Sequence, residues 1–181
     1  MVPQRTSRSK FSALALVHDH YDTLRNYQTG RPSPADYIVY VGTPTLAAAV
    51  SWSLNGRARN IPDVLTAVAI LTGLIFSVFV LIFDLTARAA DTLGAESRKL
   101  VNRLVDELRA NVSYTVLVGI VLTVVLGGIA MFVDTDRPLS RIVTVMVVFG
   151  GVHLLLSIFM VLKRVRSMFR AFRLCEPERI P

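Results

Sequence analysis

Apolar residues in this chain are gathered into blocks rather than spread in stripes. Val64–Phe83 runs twenty residues without a charge, Val112–Val133 twenty-two and Ile142–Leu162 twenty-one. At ~1.5 Å rise per residue, about twenty residues cross a hydrocarbon layer of roughly 30 Å. A buried helix in a soluble domain rarely needs that length, so three such blocks predict an integral membrane protein. A fourth span is predicted over Tyr37–Leu54, which is uncharged but carries Gly42, Pro44 and four hydroxyl residues. Tyr37, Tyr40 and Trp52 sit near its ends, where aromatic belts belong. Pro44 removes a backbone donor and is expected to kink this helix, which neighbouring helices tolerate in a membrane. The fold class expected is all-α: a polytopic four-transmembrane-helix bundle with cytoplasmic helical extensions.

The spans divide the chain into an N-terminal tail (1–36), a membrane domain (37–162) and a basic tail (163–181). Within the membrane domain the spans are expected at about 37–54, 64–83, 112–133 and 139–162, with a helical hairpin over 84–111. Arg5, Arg8 and Lys10 precede a seven-residue apolar run, Phe11–Val17. That run is short for a signal sequence and no small-residue cleavage site follows it, so the segment is expected to be retained.

Charge fixes the orientation. Segments 1–36, 84–111 and 163–181 hold sixteen Lys or Arg, and connections 55–63 and 134–141 hold four. With four spans the first three segments share one side, and the positive-inside rule places that side, with both termini, in the cytoplasm. Were 37–54 not to cross, this asymmetry would vanish. Seventeen Arg against three Lys, with abundant Ala, Val and Leu, fit a GC-rich bacterial genome. The expected location is therefore the bacterial cytoplasmic (inner) membrane. Topology also accounts for the isoelectric point of about 10.2, so nucleic acid is not an expected partner. The single cysteine, Cys175, can form no internal disulfide and is expected as a reduced thiol.

The cytoplasmic pieces read as helices. Leu93, Leu100, Val101, Leu104, Val105 and Leu108 recur at helical spacings among charged residues. Gly94 is expected to turn the chain between this amphipathic helix and a continuation of the second span through "DLTARAAD". In "KRVRSMFRAFRL", Val165, Met168, Phe169 and Phe172 share a face surrounded by Lys163, Arg164, Arg166, Arg170 and Arg173. Such a helix is expected to lie on the anionic cytoplasmic leaflet. Pro62 and Pro138 are both expected at helix starts.

Candidate chemistry is sparse. No Asp, Glu, Lys or Arg lies inside 37–54 or the blocks Val64–Phe83, Val112–Val133 and Ile142–Leu162, and His153 is the one intramembrane polar candidate, expected as a neutral imidazole hydrogen-bonded between helices. No protease, phosphate-loop, serine-elbow or dinucleotide motif occurs, so no enzyme activity, cofactor or metal is expected. Small residues recur at intervals of four: Ala69, Gly73 and Ser77; Gly119, Thr123 and Gly127; Thr45, Ala49 and Ser53. Such strips let helices approach closely within one chain or between copies.

The stretch "HDHYD" (18–22) concentrates two histidines and two carboxylates. On a strand His18, His20 and Asp22 would share a face; on a helix the two imidazoles lie ~200° apart and cannot share a metal. Leu14, Val17, Tyr21 and Leu24 follow helical spacing, and Gly30, Pro32 and Pro34 supply a stop. The motif thus reads as the polar side of a cytoplasmic helix packed through its Leu14–Leu24 stripe, and neither a metal site nor a pH-sensitive contact is expected. The functional expectation is a non-enzymatic membrane scaffold or sensor that engages a cytosolic protein, a second copy of itself, or both. The alternative is an oligomeric or holin-like pore lined by Thr43, Thr45, Ser51 and Ser53. In plan alone, with no residue motif behind it, the chain is similar to small four-span membrane subunits of bacterial phage-defence operons such as the Kiwa type.

Overall fold

The computed structural model describes residues 13–22, 34–89, 95–133 and 137–175. Its elements are all helices: α1 (Ala13–Asp22), α2 (Pro34–Ser53), α3 (Ile61–Ala89), α4 (Ala95–Phe132) and α5 (Arg141–Cys175). Three stretches are long and apolar enough to cross a membrane: Ile61–Asp84, Leu104–Phe132 and Arg141–Arg170. The helix α2 is not among them, because Gly42, Pro44 and its hydroxyls dilute its hydropathy. Large apolar side chains cover the outside, among them Ile70, Leu74, Phe76, Val124, Phe132 and Phe159. A soluble protein rarely exposes so continuous an apolar surface.

The helices stand in a row, α2 against α5, α5 against α4, and α4 against α3, with α1 laid on α4. α4 and α5 are antiparallel: Glu107 pairs with Arg164 at one end, and Gly150 faces Leu122 further along. α2 is antiparallel to α5, from Tyr40 beside Ser157 to Trp52 beside Arg141. These contacts span ~24 Å of α5 and ~18 Å of α2. Pro44 lies inside α2 and is fully buried.

Two apolar clusters bind α3, α4 and α5. One joins Ile61 and Val68 to Leu122 and Leu126, and to Val147 and Leu154. The other joins Ile75 and Ile82 to Leu108 and Val112, and to Val161 and Met168. On α3 the buried residues Ile61, Val68, Ile75 and Ile82 recur every seven positions, which keeps one seam turned toward α4.

The connections between α2 and α3 and between α4 and α5 close one end, here called the loop end. Leu139 N–H donates to Ala58 O (2.9 Å), and Ala58 N–H donates to Thr144 Oγ1 (3.0 Å). The Arg141 guanidinium lies 3.9 Å over the Trp52 ring and donates to the Trp52 carbonyl. Asn55 and Asn60 take left-handed backbone conformations, which Asn tolerates better than most residues. Pro62 is the second residue of α3, as expected of a helix start. Pro138 is not in that role: Ser140 caps α5, and Pro138 stands three residues before its first turn.

At the opposite, tail end α3 continues to Ala89 and the amphipathic segment around Leu108 is the first part of α4, its Val105 and Leu108 packed against α3 and α5. The "KRVRSMFRAFRL" segment likewise continues α5, with Met168 buried in the bundle. A helix that leaves the apolar region in line with its span does not lie flat on a leaflet. Gly94 and Leu24 fall outside the described residues.

The small-residue strips divide between outward and inward faces. Ala69, Gly73 and Ser77 face outward, as do Thr45, Ala49 and Ser53, because α3 and α2 are buried through other faces. Gly119 is buried: a Cβ there would collide with Thr72 of α3. Thr123 and Gly127 are half-buried, with open space at Gly127. Gly119→Ala is therefore expected to destabilise the folded chain by about 1–3 kcal/mol, read as a lower unfolding temperature in detergent. Gly73→Ala, whose added methyl meets nothing within 4 Å, is expected to leave that temperature unchanged or raise it.

Candidate functional site

Because α2 and α4 both pack on α5 without packing closely on each other, a cleft opens between them at the tail end. Its walls carry most of the buried polar side chains. Tyr40 comes from α2, Asn111, Tyr114 and Thr115 from α4, and His153 and Ser157 from α5. The helix α1 closes the cleft, with Val17 and Tyr21 against Tyr40 and Tyr114.

His20 is the centre of this cluster and is fully buried. Its imidazole stacks on the Tyr114 ring at 3.9 Å with the planes 7° apart, and lies 5.3 Å from the Tyr40 ring. The Asn111 amide lies beside it. Burial pushes the imidazole pKa down to about 4; the Asn111 amide opposes that shift, and the nearby His153 and Arg164 reinforce it. Tyr37 Oη donates to the Tyr21 carbonyl (3.0 Å), pinning the last turn of α1 to α2.

Deeper in the cleft, two hydroxyl bonds cross between helices. Ser157 Oγ donates to the His153 carbonyl (2.9 Å), so its contact with Tyr40 Oη at 2.6 Å is one in which the tyrosine donates. Tyr114 Oη lies 2.7 Å from His153 Nε2, joining α4 to α5. His153 Nδ1 is buried and finds no hydrogen bond among the described residues. On α4, Asn111 donates to the Glu107 carbonyl (2.7 Å) and Thr115 to the Asn111 carbonyl (2.8 Å). Among the described residues no group of three or more His, Cys, Asp or Glu could hold a metal ion.

Of the residues singled out by sequence, His153 is in the cluster. The small-residue strips and the basic side chains are not. Lys163, Arg166 and Arg170 are exposed, Arg164 is committed to Glu107, and the side chain of Arg173 lies outside the described residues. The expected packing stripe of α1 is rotated: Leu14 is 80% exposed, and the face that docks is Val17, His20 and Tyr21. Sequence reasoning missed His20, Tyr40, Tyr114, Asn111 and Ser157. The available signal was the i, i+3, i+4 spacing of Val17, His20 and Tyr21, with the histidine counted as an inward residue.

Comparison with protein-family models, with curated proteins and with solved structures finds no match to this chain, so its function is argued from its own residues.

The hydrogen-bond pattern predicts an asymmetry between the two tyrosines. Tyr114→Phe leaves both ring nitrogens of half-buried His153 unbonded and is expected to cost about 1–3 kcal/mol. Tyr40→Phe leaves Ser157 bonded to the His153 carbonyl and is expected to cost about 0.5–1.5 kcal/mol. Unfolding of the two variants in mixed micelles measures the difference; equal losses would contradict these assignments.

Proposed function

We propose that the chain is a four-span integral membrane protein of the bacterial cytoplasmic membrane, without enzymatic activity, whose tail end engages a cytosolic protein as a membrane-anchored scaffold or sensor. The fourth span is supported by geometry. α2 has twenty residues, ~30 Å of helix, and packs antiparallel along a helix that is itself long enough to cross. Its outer face is apolar, with Ile38, Val39, Leu46 and Val50 exposed. Two outward strips of small residues, Ala69–Gly73–Ser77 and Thr45–Ala49–Ser53, are compatible with contacts between copies.

The observation that carries the partner reading is the continuation of α3, α4 and α5 as packed helices beyond their uncharged blocks, Val64–Phe83, Val112–Val133 and Ile142–Leu162. At about 1.5 Å per residue, α4 is ~57 Å long and α5 ~52 Å, far more than the ~30 Å of hydrocarbon requires. The excess is folded: Leu108 and Met168 are buried there, and Glu107 and Arg164 form an ion pair. Asp106, Arg109, Lys163, Arg166 and Arg170 remain exposed on it as a mixed-charge surface. Lys163 and Arg166 follow the uncharged block Ile142–Leu162, where they are available to anionic headgroups. The cluster around His20 has neither a paired acid and base nor an activated nucleophile, and it supplies no argument for catalysis. The hydroxyls of a supposed pore are divided, with Thr43, Thr45 and Ser53 outward and Ser51 half-buried.

Topology is tested with an impermeant thiol reagent on intact cells. Native Cys175 and a Leu14→Cys, Cys175→Ser variant are both expected to be protected until the cells are permeabilised. A three-span chain would put the two thiols on opposite sides and label one of them. A photo-crosslinking residue at position 106 or 166 is expected to capture one recurrent cytosolic polypeptide, lost in an Arg166→Glu, Arg170→Glu variant. No adduct at either position would remove the partner reading, and ion or dye leakage from reconstituted liposomes would favour the pore.

A further inference from the structure

We infer that α1 is a proton-releasable latch: protonation of His20 drives α1 out of the cleft formed by Tyr40, Asn111 and Tyr114. The inference stands on how little holds this helix. α1 has ten residues, too few for a helix stable by itself in water. Its described contacts run through Val17, His20 and Tyr21, while Leu14 and His18 face outward. The largest buried share belongs to an imidazole, the one ring in that face whose charge changes near neutral pH.

The surroundings of His20 suit the neutral ring and oppose the cation. From α2 it meets the Tyr40 phenol, with Tyr37 nearby. From α4 it meets the Tyr114 phenol and the Asn111 amide. From α5 it has His153 and Arg164 within electrostatic range, and both lower its proton affinity. Glu107 of α4, the carboxylate that could compensate, is paired with Arg164. On α1 itself, Asp19 and His18 are exposed and Tyr21 packs edge-on to the ring. Phenols carry no charge at or below neutral pH. An imidazolium in this cleft would therefore be a buried cation beside another cation, and leaving the cleft restores its hydration.

The sign follows from linkage. The docked imidazole has its pKa near 4 and the undocked one near the ordinary 6.5. Docking is thus fully favourable above pH 6.5 and weakens as pH falls from 6.5 toward 4. Between pH 7.5 and pH 5 the docking constant is expected to fall roughly 30-fold.

The test compares thiol labelling at two positions in a Cys175→Ser background, in nanodiscs. Val17→Cys reports the docked face, and exposed Leu14→Cys normalises for the pH dependence of the reagent. The ratio of their labelling rates is a protection factor that tracks the docking constant. It is expected to drop roughly 30-fold from pH 7.5 to pH 5. The fall should persist with His18→Gln and vanish with His20→Gln. A protection factor that does not change with pH overturns the latch, and so does a fall that survives His20→Gln. Should His20→Gln fail to dock at any pH, the pH titration with native His20, beside the His18→Gln control, still decides the matter. No cytosolic partner is needed in this measurement, so its failure and that of the partner reading are separable.

Discussion

The seam between α4 and α5 is the contact on which the rest of the bundle depends. In hydrocarbon, apolar surface gains nothing by leaving solvent, so helices must associate through close fit and internally satisfied polar groups. This seam provides both. Leu126, Leu154 and Val161 are fully buried along it, and Gly150 lets Leu122 seat against the α5 backbone. Its buried hydroxyls bring their own acceptors: Thr115 and Ser157 each bond a carbonyl four residues earlier. With α4 and α5 fixed, α3 takes the far side of α4 and α2 the far side of α5. A row of this kind, unlike a closed square, leaves α2 and α4 separated across α5.

The separation explains why polar and aromatic residues collect where they do. A cleft between two helices that do not meet must be filled. At the loop end this is achieved by drawing the connections together through main-chain bonds at Ala58 and Leu139. At the tail end it is achieved by large rings. Tyr40 and Tyr114 have apolar bodies that fill the space and hydroxyls that reach Ser157 and His153, which is the usual economy of tyrosine near a membrane boundary. The last of the space is taken by His20, carried in by a short helix from outside the row.

Much of the fold was legible because hydrocarbon thickness imposes a length, and Val64–Phe83, Val112–Val133 and Ile142–Leu162 each meet it. What the residues did not disclose was continuity. Charges at Arg109 and Lys163 look like ends when read along the chain, yet α4 and α5 pass through them because Leu108 and Met168 continue the seam. Small-residue spacing was a poor guide for a related reason. Ala69–Gly73–Ser77 and Gly119–Thr123–Gly127 have the same signature, but of their glycines only Gly119 closely approaches a neighbour, and the packed face of α3 is a heptad of large residues. The candidate site was least legible. Periodicity ranks Leu14 as inward and His20 as outward, whereas the cleft it enters is lined by phenols and an amide. An imidazole stacks on those rings and a leucine cannot.

The two ends of the molecule therefore differ in how firmly they are made. The loop end is tied by backbone hydrogen bonds and by Arg141 stacked on Trp52, interactions that do not depend on a titration near neutral pH. The tail end is closed by a ten-residue helix whose central ring is an imidazole, above a His153 with one nitrogen still unbonded. A phenylalanine at position 20 would fill the same space with no sensitivity to protons. Using histidine costs stability whenever the ring ionises, and that cost falls on a short element outside the α4–α5 seam. Release of α1 would therefore leave the spans and the loop end as they are.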